Sequence, residues 1–187
     1  ILSRRELDRR GSVIRYAASN GRVGELRATL EAGVGRAIDQ PDAAGMTALM
    51  HASASGRTLC ADVLLEHGAD PNAASDGRPS ALCLAARRGD FGTCKRLLAA
   101  GADVEYVMRS PSEVAGLTAL ALAEIAGHLA IAGLLEMELR ALHRFGKHIT
   151  DCTDAEAVTL RETDASPAKA SPAKASPAKA SPARKAD

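Results

Sequence analysis

Small and apolar residues recur along the chain in a fixed rhythm. Ala17-Ala18-Ser19-Asn20-Gly21, Ala52-Ser53-Ala54-Ser55-Gly56, Ala85-Ala86-Arg87-Arg88-Gly89 and Ala123-Glu124-Ile125-Ala126-Gly127 are copies of one phrase. The closing glycines are separated by steps of 35, 33 and 38 residues. A second glycine follows twelve residues later in the first three copies, at Gly33, Gly68 and Gly101, whereas position 139 is Leu139. Between the paired glycines lie Leu26 and Leu30, then Val63, Leu64 and Leu65, then Leu97 and Leu98; the last copy has Leu134 and Leu135. A period near 33 with helix-compatible apolar spacing predicts stacked supersecondary units.

One unit shows the logic. Thr47 supplies a hydroxyl to cap a helix N-terminus, and Ala48-Leu49-Met50-His51-Ala52 carries that helix forward. Gly56 ends it, because a left-handed C-terminal residue costs glycine little. A second helix is expected from about Thr58 to His67, stopping at Gly68. Ala69-Asp70-Pro71-Asn72 cannot extend it, since proline lacks the donor and Asp and Asn favour turns. Small Ala52, Ser53, Ala85 and Ala86 allow close helix approach. No unit can bury its own apolar face, but three or more stacked units can.

These residues resemble ankyrin repeats, whose phrase runs G-x-T-P-L-H-x-A-A-x-x-G-H, then V-x-x-L-L and G-A-D-x-N. Gly45-Met46-Thr47-Ala48-Leu49, Gly56, Leu64-Leu65 and Gly68-Ala69-Asp70-Pro71-Asn72 match in the second copy. Ser80-Ala81-Leu82, Gly89, Leu97-Leu98 and Gly101-Ala102-Asp103 match in the third, and Gly116-Leu117-Thr118-Ala119-Leu120 with Gly127-His128 in the fourth. The first is degenerate, with Ser12 in the Thr position, and the similarity covers roughly residues 12–139. The resemblance implies an all-α solenoid of helix-turn-helix units with β-turn fingers. Ala48, Ala81 and Ala119 replace the family proline. The family histidine is replaced by Arg15, Met50, Cys83 and Ala121, which is expected to weaken hydrogen bonding between turns. Arg78 takes the turn glycine position of the third repeat, beside Gly77. About five residues around Met108-Arg109-Ser110-Pro111-Ser112 lengthen the junction before the fourth, as slack or as a binding element.

The expected domains are a lead-in helix over 1–11, repeats over about 12–41, 42–74, 75–106 and 113–145, a linker over 146–163 and a tail over 164–187. Leu2 and Leu7 among Arg4, Arg5, Glu6, Asp8, Arg9 and Arg10 give the lead-in its amphipathic pattern. The last helix is expected to run on through Glu136-Met137-Glu138-Leu139-Arg140-Ala141-Leu142, with Glu136, Glu138 and Arg140 as the polar outer face of a terminal cap. Thr153-Asp154-Ala155-Glu156 has a capping-box pattern for one more short helix. Beyond Thr163, Ser-Pro-Ala-Lys units start at Ser166, Ser171, Ser176 and, ending in Arg184, Ser181. Such a segment has no apolar face and is expected to stay disordered. Lys169, Lys174, Lys179, Arg184 and Lys185 against Asp187 leave residues 165–187 at +4, so the rest of a chain of formal charge +1 carries −3.

Three readings of that tail stand. The four serines are candidates for a proline-directed kinase, each phosphate adding about −1.5 to −2 charges. The units are similar to linker-histone tails, which implies weak, salt-sensitive nucleic-acid contact. The third reading is an inert solubilising extension.

Only 2 % of residues are aromatic, so the core is built from Ala, Leu and Val, as suits close-packed helices. The most apolar stretch, Ala115 to Leu135, is broken by Glu124 and His128, which argues against a membrane span. Cys60, Cys83, Cys94 and Cys152 match no common metal spacing and read as thiols of an intracellular protein, cytoplasmic or nuclear. Gly33-Val34-Gly35 lacks the rest of a phosphate cradle, and His51, His67, His128, His143 and His148 are scattered. No enzyme, metal or cofactor is implied. Ile1 followed by Ser3-Arg4-Arg5-Glu6 is neither an initiator Met nor a signal peptide and reads as part of a longer frame.

The expected role is a scaffold that binds another protein through finger tips and the concave inner-helix surface. The finger candidates are Asp42, Ala43 and Ala44, then Ser75, Asp76 and Arg78, then Arg109, Ser112 and Glu113. Exposed concave positions are Ser19 and Asn20, Ala54 and Ser55, Arg87 and Arg88, Ile125 and Ala126. Paired guanidiniums at Arg87-Arg88 suit an acidic partner, though they also suit a solvated helix end. Alternatives are a regulatory or targeting segment of a larger signalling protein, such as an ankyrin-containing kinase, and a chromatin-associated factor acting through the tail.

Overall fold

Hydroxyl caps and glycine stops divide the chain into helix pairs. The computed structural model describes residues 4–33, 37–73, 78–108, 116–146 and 148. The inner helices are α1 (Arg4–Asn20), α3 (Ala48–Ser55), α5 (Ala81–Arg88) and α7 (Ala119–Ile125). Each is followed by an outer helix: α2 (Val23–Glu31), α4 (Thr58–Glu66), α6 (Phe91–Ala99) and α8 (Leu129–Phe145). Inner helices pack on inner helices and outer on outer in chain order, giving a two-layer all-α solenoid with no strand among the described residues. The Ser-Pro-Ala-Lys tail, the capping-box pattern after Thr153 and Cys152 lie outside the described residues.

The expected caps form. Thr47 Oγ1, Ser80 Oγ and Thr118 Oγ1 each accept the backbone N–H of the third helical residue at 3.3 Å. Gly56 and Gly89 close α3 and α5 with φ of 64° and 87°, a region open to glycine at little cost. Each outer helix then buries one leucine completely: Leu26, Leu64, Leu97 and Leu135 are all 0 % exposed. Burial of each is worth about 1.5–3 kcal/mol. Ala52, Ser53, Ala85, Ala86 and Ala123 are buried between inner helices, where a larger side chain would separate the layers. Cys60, Cys83 and Cys94 are buried free thiols.

Two expectations are corrected. First, there is no helix start at Ser12. α1 is one helix of 17 residues, and the Ser12 hydroxyl donates to Asp8 O one turn back at 2.9 Å. The lead-in and the first inner helix merge because Gly11 does not take the left-handed conformation of the helix-ending glycines and no proline interrupts the segment. Arg10 reaches Gly33 O at 3.1 Å, and Asp8 pairs with Gln40, tying the extension to the first loop.

Second, Glu138 is not on the polar outer face. Glu136 and Arg140 pair at 3.4 Å on the exposed side, but Glu138 is 0 % exposed. α8 runs 17 residues against nine for α4, and after the left-handed Gly146 the chain places His148 Nδ1 2.5 Å from Glu138 Oε1. The hydrogen bonding expected to weaken is carried by other groups at most of the positions that replace the family histidine. Arg15 donates to Gln40 O at 2.7 Å, the Met50 sulfur accepts the Thr47 N–H at 3.3 Å, and Ser80 hydrogen-bonds to the Cys83 sulfur. The reciprocal bond to a helix-start N–H is absent in the first repeat, where Arg15 can only donate, and in the fourth, where Ala121 has no polar side chain.

At Gly56 a Cβ would collide with the Arg88 guanidinium as well as strain the backbone. Gly56→Ala is therefore expected to destabilise the protein by about 1–2 kcal/mol. Gly24 lies inside α2 with nothing within 4 Å of a built Cβ. Gly24→Ala should stabilise by about 0.5–1 kcal/mol. Urea unfolding of both variants checks the pair of opposite signs.

Candidate functional site

The sequence-predicted site residues separate onto two edges of the solenoid. One edge carries the loops that precede the inner helices; the other carries the short turns joining inner to outer helices. Asp42, Ala44 and Arg78 belong to the loop edge, and Arg87 and Arg88 end α5. An eight-residue helix separates those ends by about 12 Å. Ser75, Asp76, Arg109 and Glu113 lie outside the described residues.

Asp42 builds its turn. Its Oδ1 accepts the Met46 N–H at 2.9 Å, and its Oδ2 meets His51 Nε2 at 2.8 Å. Burial raises its pKa, but the Met46 N–H, the His51 contact and charge, and the Ala44 N–H outweigh this and hold it below the ordinary carboxylate value. Gly45 N–H donates to Asp42 O, which leaves Ala43 and Ala44 exposed at the tip. Arg78 is exposed, and its carbonyl accepts the Tyr106 hydroxyl at 2.8 Å. The longer junction before the fourth repeat is pinched at its base, where Gly116 N–H donates to Met108 O and Met108 N–H to Leu117 O.

Sequence reasoning missed a ladder along this edge. Asp39, Asn72 and Glu105 are 33 residues apart. Asp39 Oδ1 accepts the Asp70 N–H at 3.0 Å, and Asn72 Oδ1 accepts the Asp103 N–H at 2.7 Å. Asn72 Nδ2 also donates to Gly101 O at 2.9 Å. Glu105 has no following loop of the same kind and meets His143 Nε2 of α8 at 2.8 Å. The turn acids expected at Asp70 and Asp103 accept the N–H groups of Asn72 and Glu105, as short polar turn residues do. A 33-residue period in acceptor residues was the available signal.

At the other edge Arg88 donates to Ala54 O at 3.3 Å and lies across Gly56, so it bridges two repeats. Arg87 is exposed, with no ion pair among the described residues. Ser19, Ala54 and Ser55 are half-buried on the same concave surface; Asn20, Ile125 and Ala126 are exposed. Beneath it Asp90 caps α6, accepting Thr93 N–H at 3.0 Å, Thr93 Oγ1 at 2.6 Å and Thr58 Oγ1 at 3.0 Å. Burial pushes the Asp90 pKa up, yet the Thr93 and Thr58 hydrogen bonds and the Arg88 charge prevail and hold it low. Burial pushes the Cys94 thiol up to about 12, with the Asp90 charge adding to it. A thiol held so firmly protonated is no nucleophile.

Residues 3–75 match the family model for ankyrin repeats in three copies, and residues 80–109 match the single ankyrin repeat. The chain is similar to mouse inversin, 40 % identical over 87 residues, or 46 % of this chain and 8 % of that protein. It is 39 % identical to human inversin over the same length and coverage. A Caenorhabditis elegans homolog of transient receptor potential cation channel subfamily A member 1 is 35 % identical over 94 residues, 50 % of this chain and 8 % of that protein. The chain thus spans about a twelfth of the curated relatives it matches. No helix among the described residues is long and apolar enough to cross a membrane.

Asp90 makes a linkage test. A carboxylate held below its ordinary pKa stabilises the fold fully above that ordinary value, about 3.9, and the gain is lost as pH falls through the native value. Asp90→Asn keeps an N-capping side chain but cannot titrate. Its Tm should therefore fall less steeply than wild type below about pH 5. Parallel acid limbs for the two proteins would contradict the assignment.

Proposed function

Because the chain belongs to the ankyrin-repeat family, we propose that it is a non-catalytic scaffold that binds a partner protein through its finger tips and concave inner-helix surface. A protein-interaction role follows from the family; the residues and partner chemistry are the proposal. The observation that carries it is Arg87, an exposed guanidinium on the inner-helix surface with no carboxylate partner among the described residues. An acidic partner segment suits it, because the planar guanidinium takes a carboxylate in two parallel hydrogen bonds. Ala43, Ala44 and Arg78 contribute from the finger edge, with Ser75, Asp76, Arg109 and Glu113 assigned to the same recognition. Asp42 supports its finger, since both carboxylate oxygens already have partners.

The buried free thiols fit a reducing compartment, cytoplasmic or nuclear. The domain scheme of repeats to about residue 145, a linker to 163 and a tail from 164 is part of the proposal, with the first repeat extended to include α1. Phosphorylation of Ser166, Ser171, Ser176 and Ser181 would reverse the +4 tail, since four phosphates bring roughly −6 to −8 charges. This gives a route for a proline-directed kinase to regulate binding; weak nucleic-acid contact through the same cations is the competing use. A second reading has the repeats serve as a recognition segment of a larger signalling protein. It is favoured by the matched stretch being 8 % of each relative's length.

The test compares proteins that co-purify with the full chain, with residues 1–163 and with Arg87→Glu. A partner shared by the first two and weakened about tenfold or more by Arg87→Glu is expected, as for loss of a charge-assisted pair. Arg87 makes no hydrogen bond or ion pair among the described residues, so the variant stays folded, with a Tm lowered by only a few degrees as the favourable charge at the C-terminal end of α5 is reversed. Unchanged affinity would remove Arg87 from the site, and partners seen only with the tail present would move the function there.

A further inference from the structure

The turns joining inner to outer helices form a continuous edge along all four repeats. Arg57 Cδ lies 3.0 Å from where a Cβ on Gly21 would stand, Arg88 lies against Gly56, and the His128 ring comes within 2.6 Å of the same point on Gly89. The closing glycines of the first three repeats are thus covered by a basic or imidazole side chain from the next repeat, while among the described residues nothing lies over Gly127. Those side chains meet the C-terminal, partly negative ends of α1, α3 and α5, where a cation is favourable.

The same edge is apolar where the fold gives no reason for it. Leu59, Phe91, Ile125 and Leu129 are 68 %, 44 %, 72 % and 78 % exposed. Three of these four sit in the first turn of α4, α6 or α8, a position where an acidic residue would favour the helix. None of those three helices has an acid in its first turn. Glu25, in α2, is tied to Arg22 at 2.9 Å, and Asp90 is occupied by Thr58 and Thr93. With Glu25 and Asp90 engaged, Arg57 and Arg88 leave the edge net positive across the first three repeats; the exposed Glu124 stands only at its far end. Between the first two repeats it holds a groove of about 290 Å³ lined by Val23, Arg57, Thr58 and Leu59, with Gly21 and Gly56 forming its floor. That is room for one large apolar side chain.

We propose that this edge docks an acidic, hydrophobic peptide segment of a partner protein, seating one apolar anchor between Val23 and Leu59 and placing carboxylates on Arg57 and Arg88. The proposal rests on the protein-interaction reading and adds a second face to it. The chain's own tail is excluded as the occupant by its like charge, as is the same edge of a second copy. Apolar side chains spaced along a ridge of fixed cations match a segment that alternates carboxylates with leucine or aromatic residues, which buries the former against guanidinium and the latter against Leu59 and Phe91.

A library of random 12-residue peptides displayed on phage, selected on the whole chain, tests it. Selected peptides are resynthesised with fluorescein and titrated by anisotropy against wild type, Leu59→Asp, Arg57→Gln with Arg88→Gln, and Ala44→Asp with Arg78→Ala. The expected sequences are net negative with at least one Leu or Phe. Leu59→Asp should weaken them about tenfold or more, the cost of losing one buried apolar contact. The double Gln variant should weaken them severalfold and flatten their salt dependence. The finger variant should bind as wild type. Leu59 is mostly exposed, so its variant keeps the wild-type Tm and the loss reports binding alone.

Binding unchanged in Leu59→Asp but lost in the finger variant or in Arg87→Glu overturns this proposal and leaves the concave-face reading standing. Failure to enrich any sequence overturns this proposal and leaves the concave-face reading to the co-purification test. Retention on phosphatidylserine vesicles that is lost in Leu59→Asp, without peptide binding, replaces the peptide by a membrane surface.

Discussion

Every buried leucine of an outer helix depends on a neighbouring repeat. Leu64 of α4 is removed from water because α2 and α6 lie on either side, and Leu97 of α6 because α4 and α8 do. A single helix pair of this size would leave half its apolar surface wet, and the hydrophobic gain would not offset the entropy of ordering it. The ends must therefore differ from the middle. α1 and α8 are each 17 residues long, about twice their counterparts, and spend the extra turns covering exposed loop or core: α1 on Gln40 and Gly33, α8 on Glu105 and His148.

Stacking alone leaves the repeats free to slide, and polar contacts on both edges fix their register. On the loop edge, Asp39 and Asn72 accept N–H groups of the following loop in place of water. On the turn edge, Arg57, Arg88 and His128 reach back over the preceding glycine. Because the loop acids are engaged within the solenoid, that edge presents mainly its exposed tips, Ala43 and Ala44 among them. The turn edge keeps charge and apolar surface that the fold does not consume. This asymmetry is a consequence of helix direction: all inner helices end, and all outer helices begin, on one side.

The departures from the family phrase show how a hydrogen-bonding role survives a change of residue. The buried N–H at the start of α3 and of α5 needs an acceptor, and a divalent sulfur three residues on, at the histidine position of the phrase, is close enough to serve. Met50 does so through a thioether and Cys83 through a thiol, both weaker acceptors than an imidazole nitrogen. The same burial that makes Cys83 and Cys94 useful core residues suppresses their ionisation.

The helix pairs, their caps at Thr47, Ser80 and Thr118, the glycine stops and the leucines between them were legible in the sequence. Each is set by local backbone preference or by a periodicity visible in one line of residues. Glu138 was misplaced on the polar face because its burial depends on a turn at Gly146 and on His148 ten residues away. The merging of the lead-in with the first repeat was missed because a serine inside a helix looks like a cap until its hydroxyl bonds backward. The candidate residues Asp42, Arg87 and Arg88 were found by position, but their availability was not. Asp42 is occupied by His51, Arg88 gives one N–H to a carbonyl of another repeat while its exposed guanidinium keeps further donors, and Arg87 is left open. Sequence by itself determined which segments fold and how often they repeat. Only the tertiary structure decided which polar groups the stacking consumes, because those contacts join residues about one repeat apart in sequence and depend on the direction in which each side chain crosses to its neighbour.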